Sequence, residues 1–66
     1  MSVMKVIELM GQSPESWEAA VQEVVEEANK TLRGIQSVYV QHFMVEVKDG
    51  KIANYRVDTK VTFKVE

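Results

Sequence analysis

The order of apolar and polar side chains first indicates a strand at the start of the chain. From Val3 to Met10 apolar side chains predominate, and only Lys5 and Glu8 interrupt them. A strand with one face in water alternates more regularly, so both faces of this strand are predicted to be apolar. Gly11-Gln12 breaks the pattern and marks the end of the strand.

The second segment has the spacing of an amphipathic helix. Apolar residues recur every three or four positions from Trp17 to Leu32, while the opposite side is rich in glutamate. Ser13 is a strong candidate for the N-cap, and Pro14 suits the first helical position. Gly34 is a natural stop after the last turn. The sequence therefore predicts one helix between Ser13 and Gly34.

Two further strands follow, and a tight turn joins them. The second strand spans Ile35 to Lys48, and Asp49-Gly50 is a residue pair that two-residue hairpins favour. The third strand spans Lys51 to Glu66, with strict alternation of polar and less polar residues from Ala53 onward. The turn also fixes the register of the hairpin. It places Lys48 opposite Lys51, Met44 opposite Tyr55, and Val38 opposite Val61.

This register divides the side chains of the sheet between two faces. The face predicted to receive the helix carries Val38, Val40, His42, Met44, Tyr55, Val57, Thr59, Val61 and Phe63. The other face carries an apolar group that one helix cannot cover, made of Tyr39, Phe43, Val45, Val47 and Ile52. An uncovered apolar patch usually marks an interface or a ligand site.

The order of the elements predicts an α+β fold of β-α-β-β topology. The helical crossover makes the first two strands parallel, so the third fits between them in a three-stranded antiparallel sheet. With 66 residues, the chain is predicted to be one domain, residues 1–66, with a marginal core. Since the chain has no cysteine for disulfides, self-association is the predicted source of further stability.

Composition and charge narrow the classes of function. A net charge of −2 and a pI near 5.3 speak against nucleic-acid binding. The absence of a long apolar run speaks against a membrane span. The cysteine-free composition and an N-terminus without a signal-peptide pattern predict a cytoplasmic protein. No catalytic constellation and no metal-binding motif stand out, so an enzyme is not expected.

Several stretches of the chain together resemble the dodecin family. The resemblance covers nearly all 66 residues and follows the predicted element order. The stretches that carry it are Lys5-Val6-Ile7-Glu8-Leu9, Gly11, Ser13-Pro14-Glu15-Ser16-Trp17-Glu18, Lys30-Thr31-Leu32-Arg33, Asp49-Gly50-Lys51-Ile52-Ala53-Asn54-Tyr55-Arg56-Val57 and Lys60-Val61-Thr62-Phe63-Lys64-Val65-Glu66.

The resemblance implies a hollow homododecamer that binds and stores flavins such as riboflavin or FMN. In the family, a tryptophan near the start of the second strand stacks on the flavin, and a glutamine after the tyrosine of the third strand contacts its edge. In this sequence these positions hold Ser37 and Arg56. An arginine-glycine pair of the second strand is replaced by Met44 and Val45. The expected function is therefore a small-ligand binding or storage protein with an altered flavin site.

Alternatives to this function remain open. Tyr39 and Phe43, predicted to share a face with Ser37 and Arg56, could form a substitute aromatic floor for a flavin. Arg56 would then hold an anionic ligand such as a phosphate. The competing interpretation is that these residues pack between subunits, with Arg56 paired to Asp58 or to a neighbouring chain. A calcium-binding protein, or a purely structural hollow oligomer, is a further alternative.

Three other features are better explained by structure than by chemistry. The helical spacing of Trp17 predicts packing rather than a ligand platform. His42, on the predicted helix side, is expected to be a partly buried, hydrogen-bonded residue rather than a base or metal ligand. The glutamates at 23, 26 and 27 are expected to form a solvated helix face.

Overall fold

The predicted topology is confirmed by the computed structural model, which describes residues 3–65. The elements are β1 (Val3–Ser13), α1 (Trp17–Thr31), β2 (Ile35–Lys48) and β3 (Lys51–Val65). The strands form one antiparallel sheet in the order β1-β3-β2. Met1, Ser2 and Glu66, the last of which the sequence pattern assigns to the third strand, lie outside the described residues.

The helix begins three residues later than the sequence predicts. Ser16 is the N-cap, and its hydroxyl accepts a hydrogen bond from the Ala19 N–H at 3.0 Å. Ser13 belongs to β1, where it pairs with Tyr55, and its hydroxyl accepts from the Glu15 N–H in the connecting turn. The prediction that Ser13 caps the helix is therefore wrong, because strand pairing continues through this residue.

The helix ends before Gly34. The Leu32 N–H donates to the Ala28 carbonyl at 2.9 Å and closes the last turn. Gly34 follows with a φ of 70°, in the left-handed region that glycine tolerates best. Its carbonyl accepts from the Lys64 N–H at 3.0 Å, which ties the start of β2 to the end of β3.

The core lies between α1 and the central strand. Its fully buried apolar residues are Ala20, Val24, Ala28, Val57 and Val61. Ile7 and Leu9 of β1 pack against this group, which settles the face of β1 that meets the helix. No member of this buried core within residues 3–65 is larger than valine.

Irregular pairing in the hairpin alters the predicted register. Lys48 lies opposite Lys51 and Val38 opposite Val61, as expected. Register shifts between Glu46 and Val47, and again between Val40 and His42, move the intervening pairs by one residue. The predicted pairing of Met44 with Tyr55 is wrong. Met44 lies opposite Arg56, and Val45 opposite Tyr55.

The shifted register exchanges side chains between the two faces of the sheet. Phe43 pairs with the buried core residue Val57, so both lie on the side of the helix, here called the helix face. His42 and Met44 pair with Asp58 and Arg56 on the opposite side, here called the open face. The predictions that His42 and Met44 face the helix, and that Phe43 and Val45 face away from it, are corrected accordingly.

The sheet is much longer than the helix that covers it. The described residues extend over 51 × 20 × 13 Å with a radius of gyration of 13.4 Å, against about 11 Å for a compact domain of this length. A 15-residue helix is only about 22 Å long. Because the helix covers only part of one face and nothing in the protomer covers the other, large apolar side chains are exposed at Val3, Met4, Val6, Met10, Trp17, Tyr39, Phe43, Met44, Val45, Val47, Ile52 and Val65.

Gly11 allows the helix to approach β1 closely. A Cβ atom at this position would lie 2.5 Å from Val24 Cγ2 and 2.7 Å from the Ala20 carbonyl oxygen. The second of these atoms belongs to the helix backbone and cannot rotate away. Any side chain at residue 11 therefore has to push α1 off the sheet.

We expect Gly11→Ala to lower the free energy of unfolding by about 1–3 kcal/mol, the usual cost of overpacking. Chemical or thermal unfolding measures this loss. Gly50→Asn is the matched control, because a Cβ at Gly50 meets nothing within 4 Å and asparagine tolerates its φ of 75°. A Gly11→Ala protein as stable as the wild type would show that the contact between α1 and β1 is not tight.

Candidate functional site

Arg56 is the centre of a polar cluster on the open face of the sheet. Its Nε and Nη2 donate to Gln12 Oε1 of β1 at 3.2 and 2.9 Å. Its Nη2 also donates to Glu46 Oε2 of β2 at 3.4 Å. The guanidinium thus joins both outer strands across β3. The expected partner Asp58 is not bonded to it, because the register places Glu46 within reach instead.

Glu46 is held in its charged form within this cluster. Asn54 Nδ2 donates to Glu46 Oε1 at 2.8 Å. This hydrogen bond is the largest influence lowering the pKa of Glu46, and the charges of Lys48 and Arg56 act in the same direction. The cluster therefore carries paired charges that are already satisfied by protein groups.

A second polar cluster surrounds Asp58, two residues beyond Arg56 along β3 on the same open face. Asp58 Oδ2 accepts from Gln41 Nε2 at 2.8 Å and lies 3.2 Å from His42 Nδ1. The same Gln41 Nε2 donates to Glu8 Oε2 at 2.9 Å. Asp58 is about nine-tenths buried, and its Oδ1 finds no donor among the described residues.

The two carboxyl groups of this cluster influence each other. Hydrogen bonding with Asp58, followed by the charge of Asp58, raises the pKa of Glu8. The same hydrogen bond lowers the pKa of Asp58, supported by Gln41 and His42. Glu8 is thus the carboxyl group of the pair that keeps a proton to higher pH.

An aromatic cluster occupies the helix face near the hairpin end. The Trp17 ring packs edge-on against Phe43 and Tyr55, with centroids 5.8 and 5.1 Å apart. Its Nε1 donates to the Met44 carbonyl at 3.2 Å. Trp17 therefore packs between α1 and the hairpin, as its spacing predicts. Phe43 nevertheless keeps 61% of its surface exposed.

The four predicted site residues are not brought together within one protomer. Ser37 and Tyr39 lie on the open face opposite Thr62 and Lys60. Arg56 shares that face, but Thr62 lies six residues further along β3, which is about 20 Å at 3.3 Å per residue. Phe43 lies on the helix face, so the prediction that it shares a face with the other three is wrong.

His42 also differs from its expected environment. It lies on the open face with 69% of its side chain exposed, and Asp58 is its hydrogen-bond partner. The glutamates at 23, 26 and 27 are exposed, as predicted, and Glu27 forms an ion pair with Lys30 at 2.9 Å.

The sequence patterns do not predict the cluster of Glu8, Gln41 and Asp58. Glu8 and Asp58 lie within predicted strands. No turn joins β1 directly to β3, however, so the sequence does not predict the register between these two strands. Gln41 reaches Glu8 and Asp58 only because the register between β2 and β3 shifts beside it. The neighbouring residues of β2 include no glycine or proline that would indicate this irregularity.

Residues 3–65 contain no group of three or more histidine, aspartate or glutamate side chains placed to hold a metal ion. Within the same range, the one helix is too short and too polar to cross a membrane.

Comparison with known proteins identifies similar chains over almost the whole length. The sequence profile of the dodecin family matches residues 3–66. A protein named calcium dodecin from Mycobacterium tuberculosis is 41% identical over 66 residues, covering 98% of this chain and 92% of its own length. A dodecin from Thermus thermophilus is 34% identical over 64 residues, with 97% and 93% coverage.

A solved structure shows the same likeness in three dimensions. Dodecin from Streptomyces coelicolor superimposes with a TM-score of 0.95 at 31% identity, covering 98% of this chain and 93% of that one.

Proposed function

Because this chain belongs to the dodecin family, we propose that it is a self-assembling small-ligand binding or storage protein whose flavin site is altered. The observation that carries the proposal is the engagement of Arg56. This residue occupies the position where the family resemblance implies a flavin-contacting glutamine. Its guanidinium is held by Gln12 and Glu46 rather than presented freely to a ligand.

The position of the implied stacking tryptophan supports the same conclusion. Ser37 offers a hydroxyl group and no ring there. Aromatic stacking contributes about 0.5–1.5 kcal/mol per pair beyond the burial of area, so its loss weakens flavin binding. Tyr39 lies two residues along the same face and is largely exposed, which makes it the nearest substitute for the missing ring.

A site that uses both Ser37 and Arg56 has to be completed by another copy of the chain. About 20 Å separates their positions along the sheet, which exceeds the reach of one flavin ring system against a single protomer. Self-assembly into the homododecamer implied by the resemblance would supply neighbouring copies. The proposed ligand is therefore bound between subunits.

The apolar surface of the protomer supports self-assembly independently of the ligand. The hairpin extends beyond the N-terminal end of α1, where Trp17 packs, and its large apolar side chains remain exposed there. They are Phe43, Val45, Val47 and Ile52. A patch of this kind on a small chain favours burial against a partner. A second copy is the proposed partner, because the protomer has too few buried side chains to be stable alone.

We expect the wild-type protein to bind riboflavin and FMN weakly, and the double variant Ser37→Trp with Arg56→Gln to bind them about tenfold more tightly or better. A factor of ten corresponds to about 1.4 kcal/mol. Two stacking contacts supply this free energy if a flavin bound between subunits meets the new tryptophan ring of each of two copies. Quenching of flavin fluorescence during titration measures both affinities.

The control for this experiment is Ser37→Leu with Arg56→Gln, which restores an apolar side chain without a ring and should not gain affinity. Strong quenching by low micromolar wild-type protein would contradict the altered site. If Tyr39→Ala then abolished the quenching, the alternative of flavin binding on a substitute aromatic floor would be supported.

Phe43→Asp is expected to give smaller particles or insoluble protein, because it places an unpaired charge in the proposed interface. In the isolated protomer the aspartate would stay largely in water, since Phe43 is mostly exposed. Sedimentation velocity distinguishes the two situations. Phe43→Leu, which keeps the site apolar, should assemble like the wild type, and an unchanged size for Phe43→Asp would remove this residue from the interface.

A cation is the second candidate ligand. It is favoured by the 41% identity to the protein named calcium dodecin, and by the neighbouring carboxyl groups of Glu8 and Asp58. Calcium takes six to eight oxygen ligands, more than these two side chains provide. Water or further copies of the chain would have to complete the coordination.

If a cation is the ligand, we expect millimolar calcium to raise the melting temperature of the wild type, because a ligand that binds only the folded state stabilises the folded protein. Asp58→Asn should abolish most of the rise, and magnesium should produce less of it. A melting temperature that does not respond to millimolar calcium would exclude the cation candidate. The structural hollow oligomer would then be favoured if flavin binding were also absent.

A further inference from the structure

The register shift in β2 directs Gln41 across the open face of the sheet. Gln41 is the residue left without a partner between Val40 and His42, which pair with Thr59 and Asp58. Irregularities of this kind often redirect a side chain. The Gln41 amide reaches Asp58 on the neighbouring strand and also Glu8 on β1, which is not adjacent to β2.

The two carboxyl groups that Gln41 joins have too few donors between them. One amide nitrogen serves both Glu8 Oε2 and Asp58 Oδ2. Asp58 Oδ1 is buried and finds no donor among the described residues. A buried carboxylate oxygen without a donor is costly, and a proton on the neighbouring carboxyl group is the simplest remedy.

The surrounding charges do not replace that proton. Lys60 lies opposite Glu8 in the register and favours its charged form, but its side chain is exposed. His42 contacts Asp58 from β2 through Oδ2, which leaves Oδ1 unchanged. Arg56, the nearest arginine along β3, is occupied by Gln12 and Glu46.

We propose that Glu8 and Asp58 share one proton and form, with Gln41, a pH-sensitive latch that ties β1 to β2 across β3. The latch is closed when Glu8 is protonated and donates to Asp58. It opens when Glu8 loses its proton, because two adjacent carboxylates repel each other and the exposed Glu8 side chain turns into water. This inference requires no ligand, so it stands or falls separately from the proposed function.

The pH dependence follows from the directions of the two pKa shifts. The pKa of Glu8 is raised, so its contribution to stability is present at low pH and is lost as the pH rises through the folded-state value. The pKa of Asp58 is lowered, so its contribution is lost as the pH falls through its own folded-state value. The latch therefore stabilises the fold most in the acidic range between these two values.

Glu8→Gln tests the latch directly. The glutamine amide has nearly the shape of the carboxyl group and carries a permanent N–H donor toward Asp58, so it mimics the closed state at every pH. Melting temperatures of variant and wild type are compared in buffers containing EDTA. We expect little difference while Glu8 is protonated in both the folded and the unfolded state, then a stabilisation of the variant that grows as the pH rises above the ordinary glutamate range and levels off once Glu8 is ionised in the folded protein.

Two matched variants separate the latch from general effects of charge. Glu23→Gln removes the same charge from the exposed helix surface and should show no growing stabilisation. His42→Gln combined with Glu8→Gln should keep the Glu8 effect, because the latch does not depend on the imidazole. A constant difference between Glu8→Gln and wild type at all pH values would overturn the proposal. So would an equal, growing gain for Glu23→Gln.

Discussion

The mismatch in length between the helix and the sheet governs this structure. A helix of about 22 Å lies on a sheet in which β2 and β3 run for about 46 and 50 Å and β1 for about 36 Å, so much of the face that the helix meets extends beyond it. The core that results consists of five alanine and valine side chains. The aromatic and large aliphatic residues lie mostly beyond the ends of the helix or on the open face, and they stay in contact with water. Association of several copies is the direct way to remove them from water, and the family to which the chain belongs agrees with that solution.

The two faces of the sheet consequently have different properties. The helix face carries the core and, near the hairpin, the partly exposed rings of Trp17 and Phe43. The open face carries networks of hydrogen bonds centred on Arg56 and Asp58, each joining both outer strands to β3. Exposed apolar side chains nevertheless lie on the open face as well, among them Met10, Tyr39 and Met44, so both faces offer apolar surface for contact between copies.

The sequence predicts the elements and their topology well, because each leaves a local signal. The helical spacing, the Asp49-Gly50 turn and the alternation along β3 depend only on neighbouring residues. The sequence does not locate the N-cap, because Ser13 and Ser16 are both good capping residues. The pairing of Ser13 with Tyr55 in the sheet leaves Ser16 as the cap. The sequence also does not predict which face of the sheet His42 and Phe43 occupy, for a different reason. The register irregularities beside Gln41 and Glu46 depend on the packing of whole strands, which no short motif records.

One protomer cannot shelter its own apolar side chains from water, so we expect it to be folded only within an assembly. Native mass spectrometry of freshly purified protein, supported by sedimentation equilibrium, tests it most directly. We expect a homododecamer of about 90 kDa, twelve times the 7.5 kDa of one chain, with no folded protomer at working concentrations. A stable, cooperatively folded particle of 7.5 kDa would contradict it, because the exposed rings and aliphatic side chains would then need no partner.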